Sequence, residues 1–310
     1  MKRLSKLMMA CFMAAIMMMT VGCQKEDIAP IIPDTPIIPD TPIIHNGALP
    51  GLFSVSATHQ VHFSQGNLQY QASTNTWRFA EHQYDYVGSA NSNISPTYSG
   101  WIDLFGWGTS GWDSGAECYQ PWSTSILNSD YYPGGSEFNG LMGAYAEADW
   151  AWHNAISNGG NAAHQWYTLT PSEWTYLLSS RTDASSKKGT GNINGVGGLI
   201  ILPDSWTLPS GCSFTSGFCS LSGDNYSDWT HNSYTLAQWA QMEAAGAVFL
   251  PAAGGRKGTD AYGVGNRGYY WSPTPYDANG AYVMNFNSEY NNWYFVFSRN
   301  NGFSVRPVQD

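Results

Sequence analysis

The residues whose types and spacing could do chemistry gather at the end of the chain. Tyr269 to Asp310 holds 12 aromatic side chains, and Asn279 to Asn301 holds seven asparagines in 23 residues. Tyr gives a large rigid contact face with a polar handle, and Asn carries both a donor and an acceptor. Together they suit recognition of a ligand better than its transformation. In AYVMNFN, strand alternation sets Tyr282, Met284 and Phe286 on one face, with Val283, Asn285 and Asn287 on the other. The first set is predicted to be core and the asparagine set exposed. SEYNNWY then brings Tyr290, Asn291, Asn292 and Tyr294 close to a turn. The competing account is turn chemistry for the asparagines and core packing for the aromatics.

Signals for catalysis are sparse. GTGNINGVGG (189–198) precedes a strand with no helix after it, the wrong order for dinucleotide binding, and GGRKGT (254–259) lacks phosphate-loop spacing. Both are predicted to be turns. His59 and His62 alternate across a strand and cannot share a metal there. No GxSxG, HExxH or paired-carboxylate motif occurs. Glycosidase acids have no short signature, so Asp103, Asp113, Glu117 and Glu147 stay as candidates for that chemistry. A binding protein without catalysis, cofactor or metal is the expectation.

Composition narrows the class further. Of 310 residues, 12% are charged and 15% aromatic, with 33 Gly. Lys+Arg number 13 against 23 Asp+Glu, which excludes a basic nucleic-acid binder. The aromatic content excludes disorder throughout. At the start, Lys2, Arg3 and Lys6 precede an apolar run from Leu7 to Val21, too short for a comfortable membrane span. The run ends in Thr20-Val21-Gly22-Cys23, which resembles the lipobox of bacterial lipoproteins and implies cleavage after Gly22 and lipidation of Cys23. Gln24-Lys25-Glu26-Asp27 resembles the signal that sends Bacteroidetes lipoproteins to the outer face of the outer membrane. APIIPDTPIIPDTPII (29–44) has Pro at every third position and is predicted to be an extended stalk, reaching about 50 Å at roughly 3 Å per residue. Loss of residues 1–22 leaves 10 Lys+Arg against 23 Asp+Glu, a net −13. Such a domain is held to a membrane by its lipid rather than by charge. Of the cysteines remaining, Cys212 and Cys219 are spaced to allow a small disulfide loop, and Cys118 makes the number odd.

The elements that must position the C-terminal residues come next. Two helices carry start signals: Thr170-Pro171 with Glu173, and Thr235 with Gln238. Leu169 with Trp174, and Tyr234 with Trp239, are spaced as hydrophobic staples, and Gly246 ends the second helix. Short strands are predicted at 52–56, 60–64, 67–71, 76–80, 198–202, 247–250, 269–272, 281–287, 293–298 and 303–308. Two helices among many short strands give an α+β domain over residues 47–310.

TLTPSEWTYLL, GLIILPDSWTLPSGCSF, YTLAQWAQMEAAGAVFLPAAGGR, GYYWSPT and SRNNGFSVRPV together resemble the Fibrobacter succinogenes major paralogous domain group. The resemblance is strongest over residues 165–310. VHFSQGNLQYQASTNTWRFAEHQYDYVG with GWIDLFGWGTSGW is similar to the N-terminal half often joined to it. It implies a C-type-lectin-like fold on a surface lipoprotein. The EPN- or QPD-type and WND motifs of calcium-dependent sugar-binding relatives are absent, as are the C-terminal cysteines of formylglycine-generating ones. The C-terminal segment also resembles the variable region of proteins diversified by retroelements on this fold. That likeness implies ligand contacts at Tyr276, Asp277, Asn279, Asn285, Asn287, Tyr290, Asn291, Asn292, Tyr294, Asn300 and Asn301. The expected function is a lipid-anchored, cell-surface protein of the outer membrane that binds a protein or glycan ligand through these loops. The alternatives are a structural or adhesive component with homotypic binding, and a carbohydrate-active enzyme.

Overall fold

The computed structural model describes residues 46–113, 119–219 and 228–310, all within one unit running from Ile38 to Asp310. The signal segment 1–22, Cys23, the stalk, Glu117 and Cys118 lie outside the described residues.

The described part opens with two short hairpins, β1 (Phe53–Ser54) with β2 (Gln60–Phe63) and β3 (Leu68–Gln71) with β4 (Thr76–Phe79). Between β4 and α1 (Trp150–His153) the described residues form loops and 3-10 turns. Asp149 starts α1 by accepting hydrogen bonds from the amides of Ala151 (2.9 Å) and Trp152 (3.3 Å). At α2 (Pro171–Thr175) the predicted capping box forms. Glu173 N–H donates to Thr170 Oγ1, and Thr170 N–H donates to Glu173 Oε2 at 2.8 Å. One π-helical turn over Tyr176–Ser180 extends it.

The glycine-rich stretch predicted to be turns is instead mostly sheet. β5 (Lys188–Ile193) and β6 (Val196–Ile201) pair antiparallel across an Asn194-Gly195 turn with φ of 49° and 88°. Both φ values are positive, which is why Asn-Gly is favoured there. Gly197 within β6 has no side chain because a Cβ would sit 2.2 Å from the Trp229 ring. β7 (Ser233–Tyr234) joins β5 in parallel, and α3 (Leu236–Ala244) follows with its own capping box between Thr235 and Gln238. The Tyr234 and Trp239 rings lie 5.8 Å apart, the expected staple, and Gly246 follows the helix at φ 97°. β8 (Val248–Pro251) completes the sheet in the order β7-β5-β6-β8.

GGRKGT is likewise not all turn, because β9 (Gly255–Lys257) and β10 (Asp260–Tyr262) pair across it. Next come β11 (Gly268–Pro275), β12 (Gly280–Phe286) and β13 (Asn291–Ser298), a three-stranded antiparallel meander in that order. The predicted strand over 303–308 does not form as one piece. β14 (Asn301–Gly302) pairs with β9, isolated bridges hold Phe303 and Ser304, and β15 (Val308–Gln309) pairs with β2. The result is a mixed α and β fold of small, mostly antiparallel sheets with few helices.

Three apolar clusters fill it. The first gathers Trp77, Trp107, Trp150, Trp166, Trp271 and Phe303, and the second gathers Phe53, Phe63, Trp174, Leu250, Tyr270 and Phe286. The third, around Trp239, Met242 and Phe249, lies under α3. The meander sits between the first two. Tyr269, Trp271, Ala281 and Val283 point into one, and Tyr270, Met284 and Phe286 into the other. No helix among the described residues is long and apolar enough to cross a membrane.

Candidate functional site

Because β11, β12 and β13 form a meander, their two connecting turns lie at opposite ends of β12. At about 3.3 Å per residue, seven residues separate those ends by roughly 20 Å. The candidate residues therefore fall into two groups rather than one. Tyr276, Asp277 and Asn279 occupy the β11–β12 turn, and Asn300 and Asn301 return to the same end after β13. Tyr290, Asn291 and Asn292 lie at the other end, on and beside the β12–β13 turn.

The first end is held by Arg299. Its side chain is fully buried, and Nη2 donates to the carbonyls of Glu137 and Asp277 (2.7 Å), while Nε donates to the Gly280 carbonyl at 3.3 Å. The guanidinium carbon lies 4.5 Å from the Trp107 ring centre and 5.1 Å from that of Tyr132. Burial pushes its pKa down to about 10, so the cation persists at neutral pH. Asp277 Oδ1 accepts the amides of Asn279 (2.8 Å) and Gly280 (2.7 Å), closing the turn locally. The Tyr132 hydroxyl donates to the Ala278 carbonyl at 2.5 Å, and Asn300 Nδ2 donates to the Ile126 carbonyl at 2.5 Å. Segment 126–139 is thereby tied alongside the turn.

Beside the exposed Asp277 and Asn279, aromatic rings reach solvent from this turn and along β13. Tyr276 is 57% exposed and Tyr294 56% exposed. Half-buried Tyr282 joins them, its ring centre 5.5 Å from that of Tyr276 and 4.7 Å from that of Tyr294. The three make a continuous row from the turn onto the edge strand β13. Beside it, the tied segment exposes Phe138 at 72% and Ile126 and Leu127 at 60% each.

The predicted exposed asparagine face does not exist. Asn285 and Asn287 are buried, as are Asn300 and Asn301. Both faces of β11 and β12 pack on apolar clusters, so alternation along β12 separates two cores instead of core and solvent. Met284 and Phe286 are core as expected, but their face-mate Tyr282 reaches solvent. Asn287 Oδ1 accepts the amides of Glu289 (2.9 Å) and Tyr290 (3.0 Å), and Asn301 Nδ2 donates to the Ser298 carbonyl at 2.8 Å. These asparagines are turn chemistry. At the second end, Asn291 is half-buried, Asn292 is exposed with its Oδ1 accepting Tyr294 N–H, and Tyr290 accepts a bond from Arg267 at 3.3 Å.

The other candidates are dispersed. His59 bonds Asp310 at 2.8 Å and His62 bonds the Leu49 carbonyl at 2.9 Å. Asp103 is buried, bonded by Val87 N–H and Asn91 Nδ2, both at 2.7 Å, and Asp113 is exposed. Glu147 lies between His153 (2.8 Å) and His164 (2.9 Å), and the His153 bond foremost holds its pKa low. Among the described residues no group of three or more His, Cys, Asp or Glu could hold a metal. Cys212 and Cys219 do not pair: their thiols donate to the carbonyls of Gln238 and Asp228, and burial raises both pKa values. Sequence reasoning missed Arg299, because nothing local to SRNNG signals a buried cation.

Residues 229–308 match the family model of a domain of unknown function, DUF8237. That span contains the whole meander and Arg299. No curated protein and no solved structure matches the chain.

Proposed function

We propose that this chain is a lipid-anchored protein of the outer membrane, displayed at the cell surface, that binds a protein or glycan ligand through the Tyr276–Tyr282–Tyr294 row. On this reading residues 1–22 are a signal peptide, Cys23 carries the lipid and the Pro-rich segment is a stalk. The finer fold on this reading is C-type-lectin-like, akin to the Fibrobacter succinogenes major paralogous domain group. The observation that carries the proposal is the exposure above 50% of two tyrosines in one aromatic row, Tyr276 on the β11–β12 turn and Tyr294 on the edge strand β13. Exposed aromatic surface on a rigid frame supplies contact area at little entropic cost. Any retroelement-driven diversification would then act on the exposed positions Tyr276, Asn279, Tyr290, Asn292 and Tyr294, because buried asparagines there serve the frame.

Binding of the purified full-length chain to an array of proteins and glycans tests this reading. It expects a restricted set of partners at micromolar or tighter strength, within the span that standard-size interfaces cover. An empty array together with concentration-dependent self-association by light scattering would replace it with homotypic adhesion. Protease treatment of intact cells checks display, with the domain expected to be shed; full protection would place it in the periplasm.

A further inference from the structure

A cavity of about 380 Å³ opens between the 141–146 segment, α1, the start of α2 and Pro273 of β11. Its volume lies within the range that holds a small molecule. Trp152 and Tyr167 give it aromatic walls, and Leu141, Met142 and Pro273 add apolar surface. Its charged residues are two carboxylates, Asp149 and Glu173, and no Lys or Arg lines it. Asp149 is 2% exposed and spends its oxygens on the amides of Ala151, Trp152 and Thr168, with no cationic partner. Glu173 makes both of its capping bonds through Oε2. The Thr168 hydroxyl, in a residue 4% exposed, lies beside Asp149 and lines the cavity, yet makes no regular hydrogen bond to any protein atom. On the far side of Trp152, the His164 ring packs 5.0 Å from its ring centre and is bonded to Glu147.

An aromatic-walled cavity with two carboxylates and no base is suited to one ligand class. We propose that it binds an organic ammonium group, seated against Trp152 and Tyr167 with Asp149 and Glu173 as counter-charges. The attraction of a cation to an aromatic face grows as water is excluded, and the buried carboxylate gains the opposite charge that it lacks. A neutral ligand would add no opposite charge beside that carboxylate, and an anion would meet like charge on both sides. This site is separate from the Tyr276 row and does not depend on it.

Calorimetric titration of the full-length chain with choline, and with its uncharged isostere 3,3-dimethylbutan-1-ol, tests the assignment. Choline is expected to bind about tenfold or more tightly than the isostere, the difference that a cation–π contact with a nearby carboxylate supplies. Glu173→Gln keeps the capping box, since Gln serves at that position, and is expected to weaken choline about fivefold while leaving the isostere unchanged. Nα-acetyl-lysine amide, run in parallel, separates the sources: tighter binding than choline marks a lysine side chain of a partner, weaker binding a free quaternary amine. Equal affinity for choline and the isostere, or no heat from choline at concentrations that saturate weak sites, overturns the proposal.

Discussion

Arg299→Met is expected to lower the stability of the domain by about 3 kcal/mol and to free the β11–β12 turn. The guanidinium bonds the carbonyls of Asp277 and Gly280 in one turn and of Glu137 in a segment about 140 positions away. Each buried acceptor left without its donor costs about 1–3 kcal/mol, and relief from burying the charge offsets part of the total. Met restores the apolar contact with Trp107 and Tyr132 but bonds none of the carbonyls. Lys does not substitute, because one ammonium cannot reproduce the planar fork that reaches three acceptors. Urea unfolding reads the effect as a lowered midpoint with an unchanged slope. Amide exchange should rise for residues 276–280 beyond the global change. An unchanged midpoint would show that the turn is held by Asp277 and its neighbours alone.

The second large effect is on pH. Burial raises the carboxyls of Asp103 and Asp149 to about 6, despite the hydrogen bonds that each accepts. In the unfolded chain both titrate near 3.9. Between about pH 4 and 6 the native state thus binds more protons than the unfolded state, so stability falls as pH rises through that window. The fall is about 3 kcal/mol per group at 1.4 kcal/mol for each pH unit. Asp310, held low chiefly by His59, and Glu147, held low chiefly by His153, act in the opposite sense. Asp204 joins them, since bonds from Ser54, Gln60 and Arg181 outweigh the raising effect of burial. Their contribution is present above the unfolded pKa and is lost as pH falls through their folded values, below about pH 4. Stability is therefore expected to rise from pH 7 to a maximum near pH 4–5 and then to drop. Asp103→Asn should remove about half of the rise between pH 6 and 4, whatever it does to stability at neutral pH. An unaltered slope in that variant would assign the rise to other groups.

Both helices with capping boxes were legible in the sequence because their signals are local, a Thr and its third neighbour bonding each other across one turn. The glycine-rich 189–198 segment was not. Its glycines suit close neighbours such as Trp229, a contact that no local pattern announces. The asparagines of β12 misled for a related reason. Alternation identifies two faces correctly but is silent on whether one or both will be covered, and here both are. Arg299 and Arg256 were illegible because their partners are backbone carbonyls. Arg256 donates to Leu104 (2.7 Å), Ser123 (3.0 Å) and Gly258 (2.9 Å), two of them well over 100 positions away. Sequence places the Tyr-rich segment at the C-terminus, but only the meander joins Tyr294 to Tyr276 through the ring of Tyr282 and sets Tyr290 apart from that row on the β12–β13 turn.

That separation gives the central claim its most direct test. Array binding and thermal unfolding are compared for the parent chain, for Tyr276→Ala/Tyr294→Ala and for Tyr290→Ala/Asn292→Ala. All four side chains are exposed, so both double variants are expected to unfold within about 1 kcal/mol of the parent. The account predicts that the first variant loses the parent's set of partners and the second retains it. Retention by the first variant, or loss confined to the second, would contradict it.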